Sequence, residues 1–365
     1  MRVSLNQADL NSALQIVQKA VSSRSILPIL SGVLFDVGED FIDLYTTDLE
    51  MSIKYRLPVK ADSGGSVIVP ARLLGDIVKN LPDARIDLRG DENHGSIDFT
   101  CGSSSFNIKV FSPEGFPQFP DMQKEVSISV SGKDLVESIR QVVRAVSKDE
   151  TRPVLTGVLM IIEEGRLKMV ATDSYRLSIR EMEVERASAD KIKFIVPARC
   201  LDEIARICVD DSVEVGLAKN QIYFNVGEIV LVSRLIEGQF PNYQQLLPND
   251  CMLRVRFNKD NLLSSLKRVS LLAQNSALIK MKVAGNTAQI EAMTQDVGSA
   301  NEEVAVEIIG EGMEIAFNAQ FLIDGLSSIG EEEVFLELNS PLKPGLLRPT
   351  VDQDLIYLVM PVRVG

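Results

Sequence analysis

Residues Thr151 to Leu177 read TRPVLTGVLMIIEEGRLKMVATDSYRL, and the same outline occurs upstream, from Ser25 to Ile53, as SILPILSGVLFDVGEDFIDLYTTDLEMSI. Pro28 corresponds to Pro153, Gly32 to Gly157, and Thr47-Asp48 to Thr172-Asp173, each pair 125 residues apart. An offset held over so long a stretch marks a duplicated unit. Working outward, Leu10 pairs with Leu135 at the same offset. The sequence VPAR at Val69–Arg72 recurs at Val196–Arg199, and Phe116-Pro117 recurs as Phe240-Pro241.

A third, worn copy fills the remainder. NKDNL at Asn258–Leu262 restarts the opening helix, and FNAQFL at Phe317–Leu322 repeats the VPARCL that begins at Val196. This copy lacks the Pro-x-Leu-x-Gly element and ends differently, in YLVMPVRVG. Three related domains are therefore expected, at 1–123, 124–250 and 251–365. The links at Pro120–Glu125 and Pro248–Met252 are short.

Composition bounds the function. The chain has 365 residues, 45% hydrophobic and 24% charged, as in a soluble globular protein. Its longest apolar runs fall short of a membrane span, and MRVSLNQADL lacks the apolar core of a signal peptide, so a cytoplasmic protein is expected. Cys101, Cys200, Cys208 and Cys251 show neither metal-ligand nor disulfide spacing and read as free thiols. The net charge of −13 argues against a protein that grips nucleic acid with a basic outer surface.

The helices qualify that argument. In the second copy Leu135, Ile139, Val142, Val143 and Val146 form an apolar face, while Lys133, Glu137, Arg140, Arg144 and Lys148 form a mostly basic stripe opposite. The first copy shows Asn11, Gln15, Gln18 and Lys19, with Arg24 just beyond; the third shows Ser264, Lys267 and Arg268. A second helix is expected after each VPAR-type motif, at Ala71–Leu81, Ala198–Cys208 and Ala319–Ile329, with proline in its first turn. Arg72 and Lys79, like Arg199 and Arg206, fall seven apart on one helix face. Apolar runs rich in Val, Ile and Phe, such as Gly32–Val37, Phe41–Thr46 and Met51–Leu57, read as antiparallel meander strands. Each copy is thus an α+β unit of two helices on antiparallel sheet.

Catalytic machinery is hard to assemble here. The single histidine, His94, sits in a Gly-Asp-Glu-Asn-His-Gly loop, so Ser–His and Cys–His dyads have one candidate base. Neither a GxxxxGK[ST] loop nor a strand-linked GxGxxG occurs. Asp48 and Asp173 invite a carboxylate-pair reading, but their recurrence in two copies reads better as a turn in which Asp bonds backbone amides. No catalytic residue, metal site or cofactor is expected.

SRSILPILSGVL, SKDETRPVLTGVL, VATDSYRL, EGQFPNYQQLLP and the terminal YLVMPVRV together resemble the bacterial DNA polymerase III beta subunit, the sliding-clamp family, over nearly the whole chain. The resemblance implies a head-to-tail homodimer closing a six-domain ring, with helices lining the hole and continuous sheets outside. It implies double-stranded DNA as the encircled partner, held without base readout. DNA polymerase, clamp loader and repair proteins would dock through short apolar peptides of the Gln-x-x-Leu-Phe type. Lumen candidates are Lys19, Arg24, Arg72, Lys79, Arg140, Arg144, Lys148, Arg199, Arg206, Lys267 and Arg268. The resemblance transfers a partner-peptide pocket to Leu155, Thr172, Ser174, Tyr175, Arg176, Leu177, Pro241, Leu246, Asn318, Phe321, Leu358, Met360, Pro361, Val362 and Arg363. Phe106 and Ile108 would meet Leu271 and Leu272 across the ring interface. Pro153 and Val154 stand where some members carry DNA-touching tyrosines, Gln245 where some carry arginine, and the chain ends Val364-Gly365. The competing expectation is a multidomain enzyme, or a carbohydrate- or protein-binding scaffold sharing the repeated fold. A ring would reconcile the charge: topology holds the DNA, a mildly basic lumen suffices, and the outer wall carries the negative excess.

Overall fold

A computed structural model describes residues 1–22, 27–91, 95–121, 126–185, 191–208, 212–248, 250–273, 277–294, 297–352 and 354–363. Arg24, His94 and Val364-Gly365 from the sequence reading lie outside these residues. Six α-helices occur among the described residues: α1 (Gln7–Val17), α2 (Ala71–Asn80), α3 (Gly132–Val143), α4 (Ala198–Ile207), α5 (Lys259–Ser270) and α6 (Ala319–Ser328). Two fall in each repeat, as the sequence implies. None is long and apolar enough to cross a membrane.

The chain divides into two compact units. One comprises Met1–Lys133 with Arg206–Leu235, the other Asp134–Ala205 with Ile236–Gly365. The first unit holds a five-stranded sheet in the order Lys60–Ser63, Arg2–Asn6, Arg85–Asp91, Ser96–Cys101, Ser104–Lys109. It also holds an eight-stranded sheet in the order Val126–Ser131, Ser212–Ala218, Gln221–Val226, Ile229–Arg234, Met51–Pro58, Phe41–Thr47, Gly32–Val37, Gly65–Pro70. The second unit has twelve strands: Ile192–Pro197, Gly157–Glu163, Arg166–Thr172, Arg176–Glu183, Leu355–Val359, Gly345–Pro349, Glu333–Leu338, Leu253–Asn258, Gly298–Gly310, Thr287–Thr294, Leu278–Ala284, Met313–Asn318. Every strand pairing among the described residues is antiparallel, including Leu231 opposite Ile53 and Leu177 opposite Leu358. Those two pairings carry a sheet across a repeat boundary, so the middle repeat lends strands to both units.

Local chemistry explains the duplicated motifs. Pro28–Ser31 and Pro153–Leu155 are 3-10 turns opened by proline, whose fixed φ suits a helix start. Ser22 N–H donates to the Leu30 carbonyl at 3.2 Å, and Ser147 N–H donates to that of Leu155 at 2.8 Å. The two halves of the repeat signature then face each other in register, Gly32 opposite Pro70 and Gly157 opposite Pro197. A Cβ on Gly32 would lie 2.2 Å from Ile68 Cγ2, and one on Gly157 2.7 Å from the Val196 oxygen, so only glycine admits this approach. In the third repeat Leu278 lies opposite Asn318 instead. One bond survives the wear: Ala319 N–H donates to Ala277 O as Ala198 N–H does to Thr156 O.

The Thr-Asp pair is a turn, as expected from its recurrence. Asp48 Oδ1 accepts from the backbone N–H of Glu50 and Met51 at 3.1 and 2.8 Å; Asp173 Oδ1 accepts from Tyr175 and Arg176 at 2.9 and 3.0 Å. Each turn puts a non-glycine residue at positive φ, Leu49 at 76° and Ser174 at 81°. Three accepted side-chain bonds per turn offset part of the cost of that conformation: the Thr47 and Thr172 hydroxyls accept from Leu49 and Ser174 as well.

Two expectations need correction. Proline does not sit within the first turn of the second helix: Pro70 and Pro197 end the preceding strands, and α2 and α4 begin one residue later. Lacking an N–H, proline stops the ladder and hands over to the helix. The basic stripe of the second repeat is shorter than its spacing suggests. α3 stops at Val143, where Ala145 and Val146 N–H turn back to Val142 and Val143 carbonyls, so Arg144 lies in a turn and Lys148 beyond it.

Candidate functional site

The candidate peptide groove lies wholly within the second unit. Its floor is core: Leu177 and Leu358, paired across neighbouring strands, are buried with Leu159, Ile161, Val170, Ile179, Ile195, Tyr243 and Leu346. Leu155 is buried as well. Met360 packs partly buried against this cluster, beside Val154, Ile236 and Phe240. Pro241, Leu246 and Val362 are exposed and Pro361 half-buried, so these, with Met360, offer apolar surface to a ligand. The terminal segment is pinned by backbone bonds: Met360 N–H donates to Tyr175 O and Val362 N–H to Ala316 O, both at 2.8 Å. Arg363 is exposed.

Asn318 earns its place as a helix cap. Its Oδ1 accepts from Gln320 and Phe321 N–H at 2.9 and 3.3 Å, which satisfies two open donors of α6 and fixes Phe321. The Phe321 ring stacks on that of Tyr175, centroids 6.3 Å apart. Thr172 turns inward, donating to the Arg176 carbonyl at 2.6 Å. Ser174 Oγ accepts from Arg152 at 3.1 Å.

Arg176 is held by partners within the chain. Its side chain is 10% exposed, bonded to Asp173 at 3.0 Å, to Asp324 on α6, and to the Tyr357 hydroxyl at 3.3 Å. The guanidinium also lies 4.7 Å from the Phe321 ring centroid. Burial alone would lower its pKa, but Tyr357, Asp324 and Asp173 outweigh that and raise it, so the cation is permanent. Burial in turn pushes the Tyr357 phenol up. Arg176 is thus a strut tying the 172–176 turn to α6 and the last strand.

Beside the groove, a cavity of about 750 Å³ opens between the sheet face and the segment 238–244. Leu159, Ile161, Ile195 and Phe194 line its apolar part, with Phe240, Pro241 and Tyr243 along the covering segment. Lys168 and Glu181 pair at 2.7 Å, and Lys191 and Glu163 at 2.5 Å, on its charged side. Lys193 lines it without an ion pair among the described residues.

The described lumen candidates are all exposed: Lys19, Arg72, Lys79, Arg140, Arg144, Lys148, Arg199, Arg206, Lys267 and Arg268. Arg72, Lys79, Arg140, Arg144, Lys148 and Lys267 make no ion pair among the described residues. Arg268 differs, bonding both oxygens of Glu302 at 2.6 and 2.5 Å, so its charge is balanced. Arg268, with Ser265, holds the Glu302 carboxyl at about 2. A pKa depressed by folding stabilises fully above the ordinary glutamate value of 4.5 and is lost as the pH falls toward 2. The stability advantage of the native chain over Glu302→Gln should accordingly hold from pH 7 to about 5 and shrink between about pH 4.5 and 2. Denaturant titrations across that range check it; a constant difference would contradict the pairing.

Models of the DNA polymerase III beta subunit match in chain order: the N-terminal domain over residues 1–120, the central domain over 129–242 and the C-terminal domain over 244–363. The chain belongs to the DNA polymerase III beta subunit family. A beta sliding clamp of Staphylococcus epidermidis is 34% identical over 358 residues, covering 94% of both chains, and that of Staphylococcus aureus is 33% identical with the same coverage. Among solved structures, the DNA polymerase sliding clamp of Bacillus subtilis superposes with a TM-score of 0.96 at 27% identity, covering both chains completely. A Pseudomonas aeruginosa sliding clamp bound to griselimycin gives 0.96 at 30%, again over both chains completely. These agreements settle the fold expectation of three repeated clamp domains.

Within that family fold, the interface candidates separate. Among the described residues, Ser104–Lys109 pairs on one side only and ends its sheet. Phe106 on it is 36% exposed, whereas Ile108 is 4% exposed and belongs to the core. Leu271, at 74%, projects just past α5, with Leu272 half-buried. Sequence reasoning missed Asp324 and Tyr357, the partners of Arg176, because long-range pairing leaves no periodic trace.

Proposed function

We propose that two copies of this chain close head to tail into a six-domain ring that encircles duplex DNA, and that the ring tethers the replicative polymerase for processive synthesis. Each copy contributes three domains, divided near residues 123 and 250. The supporting observation is the threefold repeat of helices bearing exposed cations in a chain of net charge −13. Sequence-blind phosphate contacts from Arg72, Lys79, Arg140 and Lys267 suit a protein that must slide, since base readout would pin it. The chain performs no catalysis in this reading.

The groove around Met360 and Pro241 receives short apolar peptides, through which polymerase, clamp loader and repair proteins take turns. Two or three anchors contribute about 1.5–3 kcal/mol each on burial. After the cost of association, that gives roughly micromolar binding, about −8 kcal/mol, weak enough for exchange.

Ring closure uses the open edge at Ser104–Lys109, with Phe106 meeting the exposed Leu271 and its neighbour Leu272 of a second copy. Ile108 supports that strand from beneath and lends it backbone. Leu271→Asp should give folded monomers, because an unpaired charge at an apolar contact is costly. Sedimentation should show the native chain at about twice its 40.2 kDa and the variant at 40.2 kDa. A variant that remains dimeric places the interface elsewhere.

A further inference from the structure

The 172–176 turn has a counterpart that closes without an arginine. At the 125-residue offset Arg176 corresponds to Met51, which is buried and uncharged. The first-repeat turn nevertheless has the same bonds: Asp48 Oδ1 accepts from Met51 N–H at 2.8 Å, and Leu49 holds φ at 76°. The first repeat also has Glu50 and Leu73 at the places of Tyr175 and Phe321. Arg176 and the two rings are therefore not what the turn requires, and they occur together where the candidate groove lies. Their packing is specific. The Arg176 guanidinium carbon lies 4.7 Å from the Phe321 ring centroid, and the Tyr175 ring stacks on Phe321 with the planes 26° apart. Tyr175 is 62% exposed, so its ring is the part of this assembly open to a ligand. Asp324 stands on α6 three residues beyond Phe321, with one oxygen accepting from Arg176 and the other from Gln320 Nε2 at 2.8 Å. Asp173 holds the same guanidinium through Nε at 3.0 Å, which clamps the cation between the turn and the helix.

We infer that Asp324 is a positioning residue for partner binding: through Arg176 it keeps Phe321, and with it the Tyr175 ring, set as one wall of the groove. This inference rests on the peptide-groove reading. A wall ordered before the ligand arrives spares the cost of ordering it on binding, about two- to tenfold in affinity per side chain. The bonds of the turn itself come from Asp173 and Thr172, not from Asp324. Without Asp324, Arg176 keeps its bond to Asp173, so the turn persists while Phe321 loses the fixed cation on its ring. The acid thus acts on the readiness of the wall and not on the fold of the turn.

The test uses the full chain and a labelled short peptide of the Gln-x-x-Leu-Phe type, in a double-mutant cycle read by fluorescence anisotropy. Asp324→Asn should weaken binding about fivefold, within the range for ordering one side chain on binding. In a Phe321→Ala chain, where the ring that links Arg176 to Tyr175 is gone, the same substitution should cost less than about twofold. Urea midpoints report stability separately, and Asp324→Asn should lower them in both backgrounds. Native affinity in Asp324→Asn overturns the inference. So does an equal loss of affinity with and without Phe321, which is the result a merely structural role gives. Failure of the short peptide to bind the native chain overturns the groove reading and this inference with it.

Discussion

Ending the chain at Val359 is expected to abolish measurable binding of a short Leu-Phe peptide. The deletion leaves the strand Leu355–Val359 and its pairing with Arg176–Glu183 intact, so the sheet keeps its edge-to-edge continuity. Lost with residues 360–365 are the apolar wall at Met360, Pro361 and Val362 and the two backbone bonds to Tyr175 and Ala316. Met360 alone packs on the core cluster, and the loss of one such contact surface costs roughly 2 kcal/mol, about 30-fold in affinity. With the surfaces of Pro361 and Val362 lost as well, binding that starts at micromolar falls beyond what a labelled peptide reports in fluorescence anisotropy. Dimer mass and the hold on circular DNA should be unchanged. Undiminished peptide binding by the truncated chain would place the partner site elsewhere.

Arg176→Ala should destabilise the second unit by about 3–5 kcal/mol. The guanidinium is nearly buried and serves two carboxylates, Asp173 and Asp324, which are themselves largely shielded. Removing it strands both charges, and the penalty for an unpaired buried carboxylate exceeds what the ion pair contributes on balance. The substitution also loosens the 172–176 turn, where Ser174 holds positive φ, and releases the face of Phe321. Combining Arg176→Ala with Asp324→Asn should recover part of the loss, because the two sites are directly coupled. The midpoint of the second unit's urea transition reports both effects. A single variant within about 0.5 kcal/mol of the native chain would contradict the strut role.

Much of this fold is legible in the residues. The 125-residue offset marks matching units and the recurring Thr-Asp reads as a turn; the structure shows both Asp turns with the same bonds, and adds two matching 3-10 turns. Strands such as Gly32–Val37 begin and end where their apolar runs do, because flanking residues cannot extend a half-buried ladder. Other strands escaped. Leu278–Ala284 alternates Ile279, Met281 and Val283 inward against Lys280 and Lys282, a period-two signal obscured by the absence of the Pro-x-Leu-x-Gly landmark. α3 ended a turn earlier than its apolar spacing implied, since Val146 continues the pattern after the helix has closed.

The site was legible by position but not by role. Leu177, Leu358 and Met360 converge as the family resemblance implies, yet two of them are floor and not contact surface. Asn318 proves to be a cap and Arg176 a strut, distinctions that depend on α6 approaching the 172–176 turn. No local pattern encodes that approach. Arg268 likewise reads as a free cation until Glu302, 34 residues away in sequence, is seen to balance it.

The central claim is that the protein holds DNA by enclosing it. Loaded onto a nicked circle, it should remain bound through a wash in about 0.5 M salt, which screens direct phosphate contacts. A restriction cut in that circle should then release it from the free ends. Retention on the cut, linear DNA at the same salt would contradict the ring.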